Sequence, residues 1–327
     1  MFEEELRVGL EAVDRAMRIS RKIQNELTAG DKLDKSDRSP VTIADFASQA
    51  VICSILNSTF PTVPIVGEED SSDLKKPENE EVYKNIINFL KAEGDLYNRL
   101  YRRDILKSID LGNGKPNNKM FWTLDPIDGT KGFLRGEQYA VALALIKNGN
   151  VVLGISGCPN LDIKGDPGNE GFIFYSKKGE GSFQINCQTS EIKKIRVSSH
   201  LDKSKMRFVQ SYESGHGNMK LQIGIAKKLQ IVEPPVQLDS QVKYGIVASG
   251  NAEIYLRIPN PKSPDYKEKI WDHAAGSLIV EEAGGIVSDI NGKPLDFSLG
   301  STLDGNTGIL ATTTGLQKEI LEIIRKS

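Results

Sequence analysis

The sequence predicts an α/β protein, with an α+β N-terminal half and an α/β C-terminal half. An amphipathic helical pattern and a second predicted helix open the chain, and consecutive hairpin signals follow from Trp122, which predicts an antiparallel sheet. After about residue 195, helical and strand patterns alternate, as is typical of α/β domains. We therefore expect one domain over residues 1–195 and a second over residues 196–327.

Composition narrows the class of protein. The 327 residues are 39% hydrophobic and 26% charged, which is enough for one large core or two smaller ones. A formal net charge of −2 argues against binding of polymeric nucleic acid, so an anionic substrate would need a local basic pocket or metals.

Cysteine use and the N-terminus predict a location. Cys53, Cys158 and Cys187 are an odd number without metal-ligand spacing, so neither a disulfide framework nor a zinc site is expected. The acidic N-terminus lacks the features of a signal peptide, and no run approaches the ~18 apolar residues that span a bilayer. We expect a cytoplasmic protein without membrane contact.

The first elements are helices. Apolar residues at helical spacing predict an amphipathic helix over residues 3–27. After a charged connector, a second helix is predicted from about Ala44 to Asn57. This start would place Asp45 in the first turn, where the helix dipole stabilises a carboxylate.

A short strand and a polar segment come next. Residues 61–66 predict a strand that leads into Glu68 and Glu69. Residues 71–117 are polar apart from an amphipathic helix near residues 81–91, so we expect this segment to lie outside the core.

Two hairpins follow. Apolar runs at residues 139–147 and 151–157 are joined by Asn-Gly-Asn at residues 148–150, a strong hairpin signal. Residues 172–176 and 181–185 repeat the arrangement. Beyond them the predicted order is strand 207–212, helix 219–229, a segment at 243–248, strand 252–258, helix 273–283, strand 285–289 and strand 308–312.

The most informative motif ends an apolar run with Asp125-Pro-Ile-Asp128, followed by Gly129 and Thr130. The proline fixes φ and Gly129 permits a tight turn, so the Ile127 carbonyl can point the same way as both carboxylates. Three oxygen ligands from four residues suit a hard divalent cation. The alternative is an Asx-type turn between a strand and a helix.

Three more segments place acids at the edge of apolar runs: Val41–Asp45, Val66–Asp70 and Ile270–Gly276. Together the four motifs resemble those of the lithium-sensitive, magnesium-dependent phosphomonoesterases, the superfamily of inositol monophosphatase, inositol polyphosphate 1-phosphatase and fructose-1,6-bisphosphatase. Within it, the chain is most similar to the branch of 3′(2′),5′-bisphosphate nucleotidases, over residues 5–315 or so.

This resemblance implies a layered αβαβα sandwich of the inositol monophosphatase and sugar phosphatase type. Residues 1–195 would form the metal-binding catalytic domain, and residues 196–327 the substrate-binding domain, which contributes Asp272. Two or three Mg²⁺ ions are implied as cofactors, because magnesium prefers oxygen ligands and retains water.

The resemblance also implies the metal ligands. Glu68, Asp125 and the Ile127 carbonyl would hold one Mg²⁺, and Asp125, Asp128 and Asp272 would hold a second. Asp125 would bridge the two ions. For Asp272, which precedes a helix of small residues, a helix N-cap is the alternative.

Two residues are expected to act on the attacking water. Asp45 and Thr130 would orient and deprotonate it, and Asp45 with Glu68 would contact a third, weaker metal or its waters. Thr130 could instead cap the helix that follows Gly129.

The remaining acids and histidines have more ordinary interpretations. Glu69 is expected to contact the ligands and not the metal, and Asp70 to cap the next two serines. His273 is interpreted as a structural histidine, and His200 as an exposed one.

Substrate contacts are implied at two segments in the C-terminal half, Ser211–Gly217 and Leu238–Gly245. Gly129 and Thr130 of the first motif are implied as substrate contacts too. The full set of implied contacts is Gly129, Thr130, Gly215, His216, Asp239, Ser240, Lys243 and Arg257. Lys243 and Arg257 would neutralise a 5′-phosphate. Alternatively, residues 215–217 form a turn and Arg257 faces solvent. Asn218 departs from the small hydroxyl residue usual in the family, which puts the base contacts in question.

The implied activity is hydrolysis of the 3′-phosphate of 3′-phosphoadenosine 5′-phosphate to AMP and phosphate, with 3′-phosphoadenosine 5′-phosphosulfate (PAPS) as a further substrate and inhibition by Li⁺ or Na⁺. One alternative is an inositol polyphosphate 1-phosphatase or dual-specificity enzyme. Another is a non-catalytic sensor of nucleotides or inositol phosphates. Protein partners are not readable from the sequence.

Overall fold

The computed structural model describes residues 1–28, 39–92, 102–163, 171–199, 202–212, 219–261 and 266–326. Its helices are α1 (Glu3–Thr28), α2 (Ser39–Thr59), α3 (Glu80–Ala92), α4 (Arg102–Asp110), α5 (Thr130–Leu134), α6 (Met219–Lys228), α7 (Val242–Ala248), α8 (Ala274–Glu282) and α9 (Gln317–Arg325). Its strands are β1 (Ile65–Gly67), β2 (Met120–Asp128), β3 (Ala140–Lys147), β4 (Asn150–Cys158), β5 (Phe172–Lys177), β6 (Gly181–Asn186), β7 (Ile192–Ile195), β8 (Phe208–Gln210), β9 (Val236–Gln237), β10 (Ile254–Arg257), β11 (Ile286–Ser288) and β12 (Ile309–Thr312).

Strands β1 to β7 form one sheet in chain order. Every neighbouring pair is antiparallel except β1 and β2, which run parallel. Asn148 and Gly149 both have positive φ, 51° and 72°, which matches the right-handed twist of the hairpin between β3 and β4. The predicted antiparallel sheet is therefore confirmed.

Strands β8 to β12 form a second, mixed sheet in the order β11-β12-β10-β8-β9. The strand β10 runs parallel to β8 and antiparallel to β12. Because the two sheets divide near residue 195, their boundary lies where the sequence predicts a domain boundary. The assignment of two domains itself stays a prediction.

Three apolar clusters fill the four interfaces between five layers, because the second cluster covers both faces of the middle layer. Val141, Leu143 and Leu145 of β3 point toward α1 and α2, while the alternating Ala142 and Ala144 point toward α8. Helices α7 and α8 lie between the two sheets, and α6 and α9 cover the outer face of the second sheet. The layers are thus α, β, α, β, α, and the predicted sandwich is confirmed.

The predicted start of α2 is wrong. The helix begins at Ser39, so Asp45 lies in its second turn and the helix N-terminus is not what stabilises that carboxylate. The signal that was overlooked is Pro40, since proline in the first turn of a helix loses no hydrogen bond.

The expectation that residues 71–117 lie outside the core is also wrong. Tyr83, Ile86 and Leu90 of α3 and Ile109 of α4 are buried in the cluster that contains α1 and α2. Helices α4 and α9 and the short strands β7 and β9 were not among the predicted elements.

Helix α2 is the one described helix that is long and apolar enough to cross a membrane, over Val41–Thr59. This corrects the expectation that no run reaches that length. In the structure, 72% of this stretch is buried among other elements, as in the core helix of a globular domain.

Candidate active site

The end of β2 carries Asp125, Ile127 and Asp128. Asp125 lies opposite Ala142 of β3 and Asp128 opposite Ala140, so β2 has one extra residue here and forms a bulge. Such bulges redirect side chains. Asp125 is 2% exposed, and its Oδ1 accepts a hydrogen bond from the Ile127 N–H at 3.0 Å. An Asx-type turn is therefore present, but it lies inside β2 and not between the strand and the helix, where the alternative interpretation placed it.

Gly129 makes the turn that ends β2. Its φ of +95° is left-handed, and it occupies the N-cap position of α5. A Cβ at this position would lie 2.8 Å from the Ser240 Cβ, so the close approach also favours glycine. Thr130 is the first residue of α5 and is exposed, so the alternative that Thr130 itself caps the helix is wrong.

Glu68 comes directly after β1 and lies beside Asp125. Gly67 pairs with Leu124 in the parallel register, and the side chains of Glu68 and Asp125 are near enough for each to act on the pKa of the other. Asp70 accepts a hydrogen bond from the Ser72 N–H at 2.8 Å, as expected of a residue that caps the turn.

Asp45 and Asp272 complete the group from two other elements, α2 and the loop before α8. His273 occupies the N-cap position of α8, so the alternative that Asp272 caps this helix is wrong. We call Asp45, Glu68, Asp125, Asp128 and Asp272 the acid cluster.

Burial and mutual repulsion dominate the electrostatics of the acid cluster. Loss of hydration raises the pKa of Asp125, and the negative charges of Glu68 and Asp128 raise it further. Asp45 and Asp272 have raised pKa values for the same two reasons. A divalent cation would remove both penalties, because it replaces lost hydration with ligand bonds. The donor set, all oxygen and from four chain segments, therefore fits Mg²⁺.

A cavity of about 300 Å³ opens beside the acid cluster. Eight residues expected at the site line it: Asp128, Gly129, Thr130, Asp239, Ser240, Lys243, Arg257 and Asp272. Six others were not predicted: Lys131, Gly132, Gln241, Tyr255, Tyr266 and His273. Predicted contacts at Gly215 and His216 lie outside the described residues, as does His200.

Lys243 and Arg257 form what we call the cationic end of the cavity. The Lys243 Nζ lies 5.4 Å from the centroid of the Tyr255 ring, and burial lowers the pKa of Lys243 to about 8. Arg257 is held by Glu268, whose Oε1 accepts from the Arg257 Nε at 2.7 Å. The side chain of Arg257 is 24% exposed, so the alternative of a solvent-facing arginine does not hold.

Asp239 and Ser240 also line the cavity. Asp239 is ion-paired with Arg135, and Ser240 has a left-handed φ of +66°, unusual for a residue other than glycine. The next residue, Gln241, donates its N–H to the Asp128 Oδ2 at 2.5 Å. This bond joins the start of α7 directly to the acid cluster.

A family model described as the inositol monophosphatase family matches residues 3–327. The chain belongs to the inositol monophosphatase family. Its relatives include a 3'(2'),5'-bisphosphate nucleotidase from Schizosaccharomyces pombe, 40% identical over 98% of this chain and 95% of the relative. One of the same name from Oryza sativa is 41% identical over 99% and 94%. The resemblance to this family and to its nucleotidases is confirmed.

Solved structures of the inositol monophosphatase family show the same fold. The inositol monophosphatase from Zymomonas mobilis has a TM-score of 0.66 at 19% identity, with 99% of both chains covered. The family member CysQ from Bacteroides thetaiotaomicron has a TM-score of 0.62 at 21% identity, covering 96% of this chain and 98% of that one.

In this member of the inositol monophosphatase family, sequence reasoning missed a buried polar chain behind the cavity. The Tyr244 hydroxyl lies 2.9 Å from His273 Nδ1, and His273 Nε2 lies 3.1 Å from Glu268 Oε2. Burial alone would raise the pKa of Glu268, but His273 and Arg257 bring it to about 2. His273 is 1% exposed, in line with its structural interpretation.

Glu268 also lies near Asp272, and donor atoms of Glu268, Asp272 and His273 are all within 4.8 Å of one another. Because Glu268 is already engaged by Arg257 and His273, we do not read this group as a separate metal site. No sequence pattern marks Glu268, since its partners Arg257 and His273 lie eleven residues before it in β10 and five residues after it at the start of α8.

Proposed function

We propose that this protein is a Mg²⁺-dependent 3′(2′),5′-bisphosphate nucleotidase that converts 3′-phosphoadenosine 5′-phosphate to AMP and phosphate. The observation that carries the proposal is that one cavity is lined both by two carboxylates of the acid cluster, Asp128 and Asp272, and by the cationic end. The first suits a phosphoryl group with divalent cations, and the second suits a further phosphate on the same molecule. Relatives named for this activity, about 40% identical over nearly the whole chain, support it.

In the proposed mechanism, Mg²⁺ held by the acid cluster would neutralise the phosphoryl oxygens, activate a water and stabilise the leaving oxygen. Asp45 and Thr130 orient that water: the Thr130 hydroxyl accepts its proton and passes its own to the Asp45 carboxylate. Gly129 and Thr130 contact the 3′-phosphate. Glu69 contacts the ligands and not the metal, and so stabilises the acid cluster beside Glu68.

At the other end, Lys243 and Arg257 bind the 5′-phosphate by charge-assisted hydrogen bonds. Asp239 and Ser240 contact the ribose or base between the two phosphates. Gly215 and His216 are proposed to line the nucleoside side. PAPS is a second substrate of the same site, because its sulfated 5′-phosphate keeps a negative charge at the cationic end.

We further propose that residues 1–195 and 196–327 act as catalytic and substrate-binding domains, that Li⁺ or Na⁺ inhibits, and that the protein works in the cytoplasm on small molecules. Two or three Mg²⁺ ions would be bound.

The test is phosphate release from 3′-phosphoadenosine 5′-phosphate and from inositol 1,4-bisphosphate, each with Mg²⁺, with Mg²⁺ plus Li⁺, and with EDTA. We expect preference for the nucleotide, loss with EDTA and reduction with Li⁺. Preference for the inositol substrate would overturn the nucleotide assignment and leave the metal site standing. Release from neither substrate would favour a sensor.

A further inference from the structure

Gln49 is a fully buried amide next to the acid cluster. It is 0% exposed and lies on α2, four residues after Asp45 and therefore on the same side of the helix. An amide buried in the interior of a protein needs partners for its two N–H groups and its oxygen.

The partners of Gln49 are backbone groups of the turn that carries the acids. Its Nε2 donates to the Glu69 carbonyl at 2.5 Å and to the Ile109 carbonyl at 3.0 Å. Its Oε1 accepts from the Glu69 N–H at 3.1 Å. The amide therefore binds both backbone groups of Glu69 and ties this residue to α2 and to the end of α4.

Two glycines allow the chain to close around this amide. A Cβ on Gly67 would lie 2.6 Å from the Gln49 Oε1, and a Cβ on Gly112 would lie 2.5 Å from its Nε2. The Gly67 N–H also donates to the Gly112 carbonyl at 2.8 Å. The turn before Glu68 is thus packed against Gln49 without room for side chains.

The neutrality of the amide matters as much as its contacts. A lysine or arginine here would pair with the carboxylates and compete with a metal ion for them. Gln49 instead holds only the backbone, so the carboxylates of Glu68 and Glu69 stay available while their position relative to Asp45 is set.

We propose that Gln49 is a positioning residue that sets the turn at Glu68 and Glu69 relative to Asp45, and so determines the affinity of the acid cluster for divalent cations. This inference rests on the proposed metal site. It assigns to Gln49 no contact with the substrate or with the reacting atoms.

The test is calorimetric titration of the whole protein with MgCl₂, for the wild type and for Gln49→Met, which keeps the length and loses the three hydrogen bonds. Gln24→Met is the matched control, because Gln24 is also a buried amide that donates to a backbone carbonyl, that of Phe133 at 2.8 Å. We expect Mg²⁺ affinity to fall ~10-fold or more in Gln49→Met and to change less than about twofold in Gln24→Met.

Gln49→Glu is the second variant and separates position from charge. It keeps the acceptor for the Glu69 N–H, loses both donors and adds a negative charge. If Gln49 acted only through the local field, the added charge would strengthen Mg²⁺ binding; we expect it to weaken. This variant decides the matter if Gln49→Met does not fold.

Wild-type Mg²⁺ affinity in Gln49→Met, equal losses in Gln49→Met and Gln24→Met, or tighter binding in Gln49→Glu would each overturn the positioning role and leave the proposed function intact. A wild-type protein that takes up no Mg²⁺ would overturn the proposed metal site itself, and the role of Gln49 with it.

Discussion

Lys243→Met is expected to stabilise the protein and impair it at the same time. Lys243 is 4% exposed, and among the described residues its Nζ donates one hydrogen bond, a long one of 3.4 Å to the Leu238 carbonyl. The charges that act on it are Asp128 and Asp239, which favour its protonated form, and Arg257, which opposes it. Burial outweighs the two carboxylates and lowers the pKa of Lys243 to about 8.

The gain in stability follows from linkage. The unfolded chain holds the lysine proton with a pKa of 10.5, so below pH 8 the folded protein bears the full cost of the buried charge. The interval between 10.5 and about 8 corresponds to ~3 kcal/mol. Loss of the contact with the Tyr255 ring offsets ~1 kcal/mol of this. We expect Lys243→Met to raise the free energy of unfolding by ~2 kcal/mol at pH 7, an advantage that fades between pH 8 and 10.5.

The loss of activity concerns the second phosphate only. A charge-assisted hydrogen bond contributes ~1.5–3 kcal/mol, so KM for 3′-phosphoadenosine 5′-phosphate should rise ~10- to 150-fold. For adenosine 3′-monophosphate, which has no 5′-phosphate, KM should not change. The assays are phosphate release with both substrates and urea unfolding in EDTA at pH 7 and pH 10.

Lys177→Met is the matched control, because Lys177 is also 4% exposed but is paired with Glu3 and Glu180. It should show no gain in stability. If Lys243→Met destabilises at pH 7, the cost assigned to its buried charge is wrong. If both substrates lose the same factor, Lys243 does not bind the second phosphate.

Three other substitutions test separate parts of the site. Asp125→Asn should lower kcat ~10³-fold or more, which corresponds to about 4 kcal/mol in the activation free energy. It should raise the melting temperature in EDTA, because one buried charge is removed. A melting temperature that falls together with kcat would contradict this. Glu268→Gln should cost ~3–5 kcal/mol of stability and raise KM for the bisphosphate, because Arg257 loses its partner; an unchanged KM would show that Arg257 is positioned without it. Gly129→Ala should cost ~1–2 kcal/mol for the left-handed φ alone, and more for the contact with Ser240, so thermal unfolding at the wild-type temperature would refute the strain.

Local patterns predicted much of the first sheet. The hairpin of β3 and β4 could be predicted because its two paired strands are adjacent in the chain. It consists of the Asn-Gly turn at residues 148–149 and the apolar run on either side. The start of α2 was missed because Pro40 was assigned to the charged connector, although Val41 and Ile43 directly after it are buried in the core. The burial of Tyr83, Ile86 and Leu90 was also missed. Most residues around them in the sequence are polar, although these three share one buried face of α3.

The acids of the site could be predicted because each ends an apolar run, but their geometry could not. The bulge between Asp125 and Asp128 depends on pairing with β3, which no pattern within the motif specifies. Glu268 and Gln49 were missed for the same reason. Gln49 acts through contacts with segments distant in the chain, and Glu268 through its pair with Arg257 of β10; neither stands in a motif that indicates its partner.

The hydrogen bond from the Gln241 N–H to Asp128 fixes the backbone of one part of the cavity wall, while the side chains of that wall can vary. It fixes the backbone where α7 begins, and it does so through a main-chain group, which every residue type but proline provides. Side chains at positions 239, 240 and 243 can therefore be exchanged while the helix start keeps its place beside the carboxylates. A new second group on the substrate could be accommodated by changing three side chains, with the phosphoryl-transfer end left as it is.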